Sequence, residues 1–337
     1  MEIPFYKMQG CGNDFIIFDN RRYGFTMAQL STLAKQICQQ RVSLGGDALM
    51  VVDNPRATGD FRMVFFNADG SEAEMCGNGA RCLARYAYEE GIAGPTMTIE
   101  TLAGLVPAWR EDQRTYRVRL NEPTKYTANL DFSKEELVEE LLEDALKEKT
   151  AKSGSATLDQ ALEATGQSLR QRVQGISFLD YVELGNPGLP HLVVGYPQLA
   201  ETALADLKPL AQALRNWSAL PKGANVNFVA VAPVPDSEIL AANLAKEVSQ
   251  DLVKPAGQVI VRTYERGVED FTLACGTGAG SVAYSLVQRK LVQTGAPVVL
   301  DVLGGQLAVA VRGKQLDLIG PTNVVAKGLL VDEDVQF

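Results

Sequence analysis

The spacing of hydrophobic positions divides the first 120 residues into short strands and longer helices. Three runs rich in β-branched and aromatic residues predict strands, at 61–67, 96–100 and 116–120. Two segments whose apolar positions recur every three or four residues predict helices, at 27–41 and 80–91.

The second half of the chain repeats this mixture of elements. Strands are predicted at 178–184, 191–196, 225–231 and 257–265, followed by a helix from Gly278 to about Lys290 and short strands containing VVLDV and LAVAV. Each half thus holds several strands and at least two helices, without a regular strand–helix–strand repeat. This arrangement is typical of the α+β class.

Residues 133–174 differ in character from both halves. Leu137 and Leu141 lie four residues apart in a strongly acidic segment, and Ser133 with Glu136 fits a capping box. A Gly/Ser break at 153–155 separates this helix from a second helical stretch that ends near Val173. We interpret the segment as a helical hairpin that decorates the surface and is largely solvated.

Composition narrows the classes of function. With 337 residues, two domains are expected, and 46% hydrophobic with 22% charged residues is ordinary for a globular protein. The net charge of −9 argues against a nucleic-acid partner, since phosphate binding needs a basic surface. The absence of a long apolar run and of a signal-peptide pattern argues against a membrane and predicts a cytoplasmic protein. The sequence leaves open whether the protein forms a homodimer.

The cysteines and the single histidine limit the available chemistry. Five scattered cysteines in a chain of this length do not form a disulfide framework, and one histidine without a CxxC pair argues against a zinc site. No metal is therefore expected, and no lysine resembles a Schiff-base site, so no cofactor is expected either. Proton transfer would fall on cysteine, carboxylate, lysine or His191.

One short motif occurs once in each half. CGNGA begins at Cys76 and CGTGA begins at Cys275, and each runs directly into a helix-period apolar pattern. A predicted strand ends about ten residues before each motif, at Asn67 and Glu265. Two matching half-sites indicate a pseudo-twofold molecule with one functional loop in each half. Cys38 and Cys82 lie on helical apolar patterns, and we expect both in the core.

A cysteine just before a helix faces unpaired backbone N–H groups and the positive end of the helix dipole. This environment favours the thiolate, and the same N–H groups can bind a carboxylate. Two such loops facing each other would present one thiol to each side of a carbon atom, which is the requirement for inverting a stereocentre. A phosphate-binding loop or simple packing is the alternative interpretation, because a glycine-rich turn alone is a weak signal.

Around these motifs the sequence resembles the diaminopimelate epimerase family. MQGCGNDFIIFD resembles the N-terminal segment of the family, and FNADGSEAEMCGNGARC is close to its first cysteine motif. ERG followed by TLACGTGA resembles the second cysteine motif, and NVNF at 225–228 also fits. Two departures stand out: GNPGLPH replaces the shorter GNPH, and ERGVEDFTLACG is one residue longer than the usual spacing.

The resemblance implies an isomerase, an amino-acid epimerase that interconverts LL- and meso-diaminopimelate without pyridoxal phosphate, in the biosynthesis of lysine and peptidoglycan precursors. It also implies two similar domains, each a mainly antiparallel sheet wrapped round a central helix. We expect the first domain to contain 1–122 with 321–337, and the second to contain 123–320 with the insertion at about 133–174.

The resemblance also assigns roles to particular residues. Cys76 and Cys275 match the catalytic pair, Glu265 matches a residue that supports the thiol chemistry, and His191 is given a supporting catalytic role. The positions that match substrate-binding residues are Asn13, Asn67, Gly77, Asn78, Asn186, Asn225, Arg266, Gly276 and Thr277. The substrate is a small molecule with two zwitterionic ends, so one end reacts while the other is gripped.

Two other functions stay open at this point. A related two-thiol racemase acting on histidine or a proline derivative would use the same cysteines but would not need Arg266 for a distal carboxylate. A non-catalytic scaffold would retain the fold and use the 133–174 hairpin for docking.

Overall fold

The computed structural model describes residues 2–130, 133–150, 166, 169–231, 259–331 and 335. The helices with described bounds are α1 (Met27–Ile37), α2 (Gly77–Glu89), α3 (Lys134–Thr150), α4 (Leu204–Arg215) and α5 (Gly276–Gln288), and residues 166 and 169–174 are also helical. The strands are β1 (Ile3–Gly10), β2 (Asn13–Asp19), β3 (Ala48–Asp53), β4 (Phe61–Asn67), β5 (Thr96–Thr101), β6 (Gly104–Arg110), β7 (Thr115–Leu120), β8 (Pro123–Thr127), β9 (Phe178–Leu184), β10 (Leu189–Gly195), β11 (Asn225–Val231), β12 (Val259–Glu265), β13 (Asp270–Thr272), β14 (Val298–Val302), β15 (Gly305–Arg312), β16 (Gln315–Pro321) and β17 (Asn323–Leu330).

The two halves of the fold have the same strand topology. Neighbouring strands run β1–β2–β3–β4–β5–β6–β7 in the first half and β9–β10–β11–β12–β14–β15–β16 in the second. In both, the successive pairs are antiparallel, parallel, antiparallel, parallel, antiparallel and antiparallel. The predicted α+β fold with two pseudo-symmetric halves is therefore confirmed.

The halves exchange their terminal strands. β8 follows β7 in the chain but pairs with β9, whereas β17 follows β16 and pairs with β1. An antiparallel β7–β16 pair joins the halves directly. β17 thus lies in the sheet of the first half and β8 in that of the second, while the division into domains 1–122 with 321–337 and 123–320 stays a prediction.

Each half wraps its sheet around one central helix. α2 is buried from Gly77 to Ala87, and α5 is buried from Gly278 to Leu286. A single apolar cluster contains side chains of both helices and of strands from both halves, so burial of these helices holds the halves together. Cys82 and Cys38 are buried in apolar clusters, as the sequence predicts.

The helix α3 begins with the predicted capping box. The backbone N–H of Glu136 donates to Ser133 Oγ at 3.1 Å, and the backbone N–H of Ser133 donates to the Glu136 carboxylate at 3.1 Å. The interpretation of this helix as solvated decoration is wrong for its apolar face, because Leu137 and Leu141 are fully buried against α4. Residues 151–165 and 167–168, which include the predicted Gly/Ser break, lie outside the described residues.

Replacing Leu137 with alanine is expected to lower the free energy of unfolding by about 2 kcal/mol, because the buried side chain would leave a cavity beneath α3. Chemical denaturation measures this change. Glu139→Ala on the exposed face of the same helix is the matched control, and we expect it to change stability by less than about 0.5 kcal/mol. Equal effects of the two substitutions would contradict the buried position of α3.

Candidate active site

The two central helices begin in the same way. Cys76 is the N-cap residue of α2 and Cys275 is the N-cap residue of α5, both with extended backbone angles. The strands predicted upstream of the two cysteines, β4 and β12, end at Asn67 and Glu265, as the sequence predicts. Each cysteine therefore lies at the point where the chain turns from the sheet into the helix at the centre of its half.

The first turns of the two helices touch each other. A Cβ atom added at Gly276 would lie 3.5 Å from the Cα of Gly77, and the side chain of Leu318 packs against both glycines. The absence of side chains at these two positions lets the backbones approach closely. As a result, two sets of unpaired helix N–H groups converge on one small region.

Desolvation dominates the electrostatics of Cys76, which is half-buried. Loss of solvent contact raises the pKa of the Cys76 thiol above its ordinary value, and the backbone N–H groups of Gly79 and Asn78 oppose this shift. The N–H groups act as expected for a helix N-terminus, but they do not outweigh the enclosure of the site.

The Cys275 thiol behaves in the same way. Burial raises its pKa to about 12, and the negative charges of Glu265 and of an ionised Cys76 contribute in the same direction. The Cys275 Sγ atom accepts a hydrogen bond from the backbone N–H of Gly278 at 3.4 Å and lies 3.5 Å from Thr277 Oγ1. The charge of an ionised Cys76 therefore acts on the Cys275 thiol, while the role of the two thiols as one catalytic pair stays a prediction.

Glu265 is part of the same electrostatic group. Its negative charge raises the pKa of Cys76 and of Cys275, and burial raises the pKa of its own carboxyl group. Ionisation of the carboxyl group and of either thiol is mutually unfavourable, so the site favours few negative charges at a time.

Two predicted substrate-binding residues form one hydrogen-bonded pair beside α2. Asn78 Nδ2 donates to Asn13 Oδ1 at 2.7 Å and to the carbonyl oxygen of Ala274 at 3.4 Å. Asn13 Nδ2 in turn donates to Asp47 Oδ2 at 3.2 Å. Asn78 is nearly inaccessible, and its Oδ1 atom has no hydrogen-bond partner in the described part of the chain.

His191 is fully buried on β10, close to the start of α5. Burial lowers its pKa to about 3, and the positive charge of Arg266 acts in the same direction, so its imidazole is neutral near pH 7. The Nδ1 atom faces Asn227 Nδ2 at 3.3 Å, and that amide nitrogen also donates to the carbonyl oxygen of Leu192 at 2.9 Å. The proton of the ring therefore lies on Nε2, a buried atom without a hydrogen-bond partner among the described residues.

Asn225 and Arg266 are connected through the backbone. Asn225 is paired in register with His191, and its Oδ1 atom accepts a hydrogen bond from the Arg266 N–H at 2.8 Å. The Arg266 guanidinium donates to the carbonyl oxygen of Lys222 at 2.9 Å and retains further donors for a ligand. The longer segment before Cys275 forms the β12–β13 hairpin.

Two predicted substrate-binding residues lie apart from this hydrogen-bonded group. Asn67 is exposed at the end of β4, where its Nδ2 donates to Ser71 Oγ at 3.0 Å. Asn186 is exposed in the turn between β9 and β10, and its peptide bond to Pro187 is cis. No contact in the described part of the chain connects either side chain to the cysteines.

Three residues of this region were not singled out from the sequence: Asp47, Arg81 and Asn227. Arg81 is fully buried, and its charge lowers the pKa of Cys76, although less strongly than burial raises it. Asn227 follows Asn225 by two residues in a strand, and this spacing on one face was a signal available in the sequence. The contact of Asp47 with Asn13 joins segments 34 residues apart in the chain and had no such signal.

Two solved structures have the same fold as this chain. A phenazine biosynthesis protein of the PhzF family from Bacillus anthracis matches with a TM-score of 0.64 at 16% identity, covering 98% of this chain and 100% of its own. A hydroxyproline epimerase from Agrobacterium vitis matches with a TM-score of 0.56 at 12% identity, covering 99% of this chain and 93% of its own. This chain thus shares the fold of these two proteins, and it has one cysteine-capped helix at the centre of each half.

Sequence comparison identifies the family to which this chain belongs. The family model for diaminopimelate epimerase matches residues 5–126 and 184–325. Diaminopimelate epimerases from Methanothrix thermoacetophila and Aquifex aeolicus are each 32% identical over 99% of this chain, and the matches cover 98% and 100% of those relatives. The chain belongs to the diaminopimelate epimerase family and is an isomerase.

Two other kinds of feature, a membrane-spanning helix and a metal-binding cluster, are absent from the described residues. No helix in this part of the chain has both the length and the apolar character of a membrane span. The same residues contain no grouping of three or more His, Cys, Asp or Glu side chains that could hold a metal ion.

Proposed function

We propose that the protein interconverts LL- and meso-diaminopimelate, with Cys76 and Cys275 as the acid–base pair and without a cofactor. One sulfur, as thiolate, removes the α-proton from one face of the reacting carbon, and the other, as thiol, donates a proton to the opposite face. One C–H bond breaks and one forms, and the two sulfurs exchange protonation states. The reverse reaction uses the same groups in exchanged roles.

The observation that carries this proposal is the contact between the two cysteine-capped helix N-termini at Gly77 and Gly276. The α-proton of an amino acid is a very weak acid, so the carbanion requires stabilisation. N–H groups at both N-termini can bind the carboxylate and stabilise the negative charge that develops on it. These donors belong to Gly77, Asn78, Gly276 and Thr277, which the family resemblance matches to substrate-binding positions.

The raised pKa values of the thiols fit the same reaction. A thiolate with a high pKa is a stronger base, which suits the removal of a weakly acidic proton. The charge of Glu265 opposes ionisation of both thiols, and an ionised Cys76 opposes ionisation of Cys275. This arrangement favours a pair in which one sulfur is ionised while the other keeps its proton.

The remaining predicted residues would grip the distal end of the substrate. Arg266 supplies a guanidinium for the distal carboxylate, while Asn67, Asn186 and Asn225 supply amide groups that can both donate and accept. His191 is neutral and presents its Nε2–H as a donor, so in our proposal it supports binding and does not act as a cationic acid.

The proposal predicts solvent exchange at the reacting carbon. In D₂O, LL-diaminopimelate incubated with the protein should form the meso isomer and gain deuterium at one α-carbon, as measured by NMR and mass spectrometry. Histidine and hydroxyproline form the comparison panel and should exchange far more slowly, because they lack the distal zwitterion. A folded protein that exchanges a panel member but not diaminopimelate would contradict the assignment of the substrate.

A further inference from the structure

An unsatisfied acceptor lies beside the N-terminus of α2. Asn78 is the second residue of the helix and is 1% exposed, yet no described residue donates a hydrogen bond to its Oδ1 atom. Leaving a buried polar atom without a partner is costly, and most such atoms in folded proteins are satisfied. We therefore expect a ligand to supply the hydrogen-bond donor for Asn78 Oδ1, which lies close to Cys76 in the chain.

Two groups that can only accept fix the direction of the Asn78 amide. The carbonyl oxygen of Ala274 receives one Nδ2 proton at 3.4 Å. Asn13 Oδ1 receives the other at 2.7 Å, and Asn13 keeps its oxygen on this side because its Nδ2 donates to the Asp47 carboxylate at 3.2 Å. A carboxylate and a carbonyl cannot donate, so both amides are held in one orientation. Asn78 Oδ1 therefore lies on the side away from Asn13 and Ala274.

We propose that Asp47 is a positioning residue, and that the relay Asp47–Asn13–Asn78 presents Asn78 Oδ1 as the acceptor for the α-ammonium group at the reacting end of the substrate. This inference rests on the proposed function. The helix N–H groups attract the carboxylate of the reacting centre, whereas an amide oxygen attracts a donor. The relay thus separates the two charged groups of the amino acid and selects substrates that carry an α-ammonium.

The backbone near Asp47 is anchored independently of its side chain. The Asp47 N–H donates to Asp14 Oδ1 at 2.9 Å and to the Asp14 carbonyl oxygen at 3.0 Å. The Oδ2 atom of Asp47 accepts both Asn13 Nδ2 and the backbone N–H of Asp14 at 3.1 Å, so an amide at this position could keep its oxygen there. Alanine removes the acceptor altogether and leaves the bonds of the Asp47 N–H in place. The Asp47→Ala variant should therefore fold normally, while Asn13 becomes free to invert and the fixed orientation of Asn78 is released.

The test is calorimetric binding of two ligands, diaminopimelate and pimelate, which lacks both ammonium groups. In Asp47→Ala, the Kd for diaminopimelate should rise about tenfold, the typical contribution of a hydrogen bond to a charged group. The Kd for pimelate, which has no ammonium group for Asn78 Oδ1, should change less than about twofold. Asp60→Ala is the matched control, since its exposed carboxylate also accepts a backbone N–H, that of Thr98 at 2.6 Å.

The pattern across ligands and variants distinguishes the relay from a structural role. Selective weakening of diaminopimelate binding in Asp47→Ala, with both ligands unaffected in Asp60→Ala, supports the relay. Equal weakening of both ligands indicates a structural role for Asp47 and overturns it, as does unchanged binding of both. If the wild type binds diaminopimelate but incorporates no deuterium, the proposed function fails alone and the binding comparison still decides on the relay.

Discussion

Serine in place of Cys76 or Cys275 is expected to lower the rate of diaminopimelate epimerisation about 10²–10⁴-fold, the usual contribution of a positioned acid or base. A serine hydroxyl is a far weaker acid than a thiol, so it neither ionises readily to remove the α-proton nor donates one as easily. Each substitution should have a large effect by itself, because one turnover uses both sulfurs. The rates of isomer formation and of deuterium uptake measure the loss.

Cys38→Ser provides the matched control for these variants. Cys38 lies in the apolar cluster under α1, and burial raises its pKa to about 12, yet it caps no helix N-terminus. The rate per folded molecule should stay within about twofold of the wild type, since no proton transfer depends on this thiol. A loss as large as that of Cys76→Ser would show that the chemical change alone, and not its position, impairs the protein.

Replacing Arg289 with methionine is expected to lower the free energy of unfolding by about 3–5 kcal/mol, as is typical when one partner of a buried ion pair is removed. Asp180 is completely buried, and Arg289 donates to its carboxylate at 2.7 Å through Nε and at 2.5 Å through Nη2. Ser285 and Tyr126 donate hydroxyl groups to the same carboxylate. Without the guanidinium, the carboxylate would remain buried beneath α5 with no counter-charge.

The effect of Arg289→Met should depend on pH. In the wild type, burial alone would raise the pKa of Asp180, but the hydrogen bonds from Arg289 and Ser285 hold it below its ordinary value. Its stabilising contribution is therefore present above a pKa of about 3.9, that of an unfolded aspartate, and is lost as the pH falls through the lower folded value. In the variant, burial should raise the pKa, so stability is lost as the pH rises. The difference between the two proteins should thus widen from about pH 3 to pH 7.

Arg312→Met is the control for this second prediction. Arg312 is 62% exposed and pairs with Asp317, which keeps Arg117 and Arg119 as further partners. Its replacement should cost less than about 1 kcal/mol, because an exposed pair is screened by solvent. Denaturation curves that show equal losses for the two arginine variants at pH 7 would be incompatible with a special role for the buried pair.

The most strongly patterned strands could be predicted from sequence with their bounds. β4 and β11 occur at 61–67 and 225–231, as predicted, because both are almost continuous runs of large apolar or β-branched residues between polar ends. The central helices were predicted to begin at Ala80 and Gly278 but begin at Gly77 and Gly276. Glycine has a low intrinsic helix propensity, so the first turns carried no periodic signal.

Elements that depend on distant contacts were missed. Helix α4 contains Pro209, which weakens a helical pattern, and it was not predicted. Most of the side chains of β17 are exposed, so a strand in this region was expected only from the family resemblance and not from its own pattern. The exchange of β8 and β17 between the halves brings together segments that no local pattern connects. Strand pairing of this kind is determined by burial of the whole sheet and not by the residues of one strand.

The candidate site likewise contains residues that local sequence indicates and residues that only distant contacts define. The repeated motif was sufficient to single out Cys76 and Cys275, because both the cysteine and its helix are local features. The relay through Asp47, Asn13 and Asn78 was not accessible, since it depends on the direction of hydrogen bonds between three segments. The neutral state of His191 likewise follows from its complete burial, which sequence alone does not give.

The meeting of the two helix N-termini at Gly77 and Gly276 has a mechanical consequence. Each terminus belongs to a different half, and the β7–β16 pair connects those halves permanently. A carboxylate bound between the termini would be hydrogen-bonded to both halves at once and would act as a reversible cross-link. Binding of substrate would then restrict the motion of the two halves relative to each other, and release of product would restore that motion.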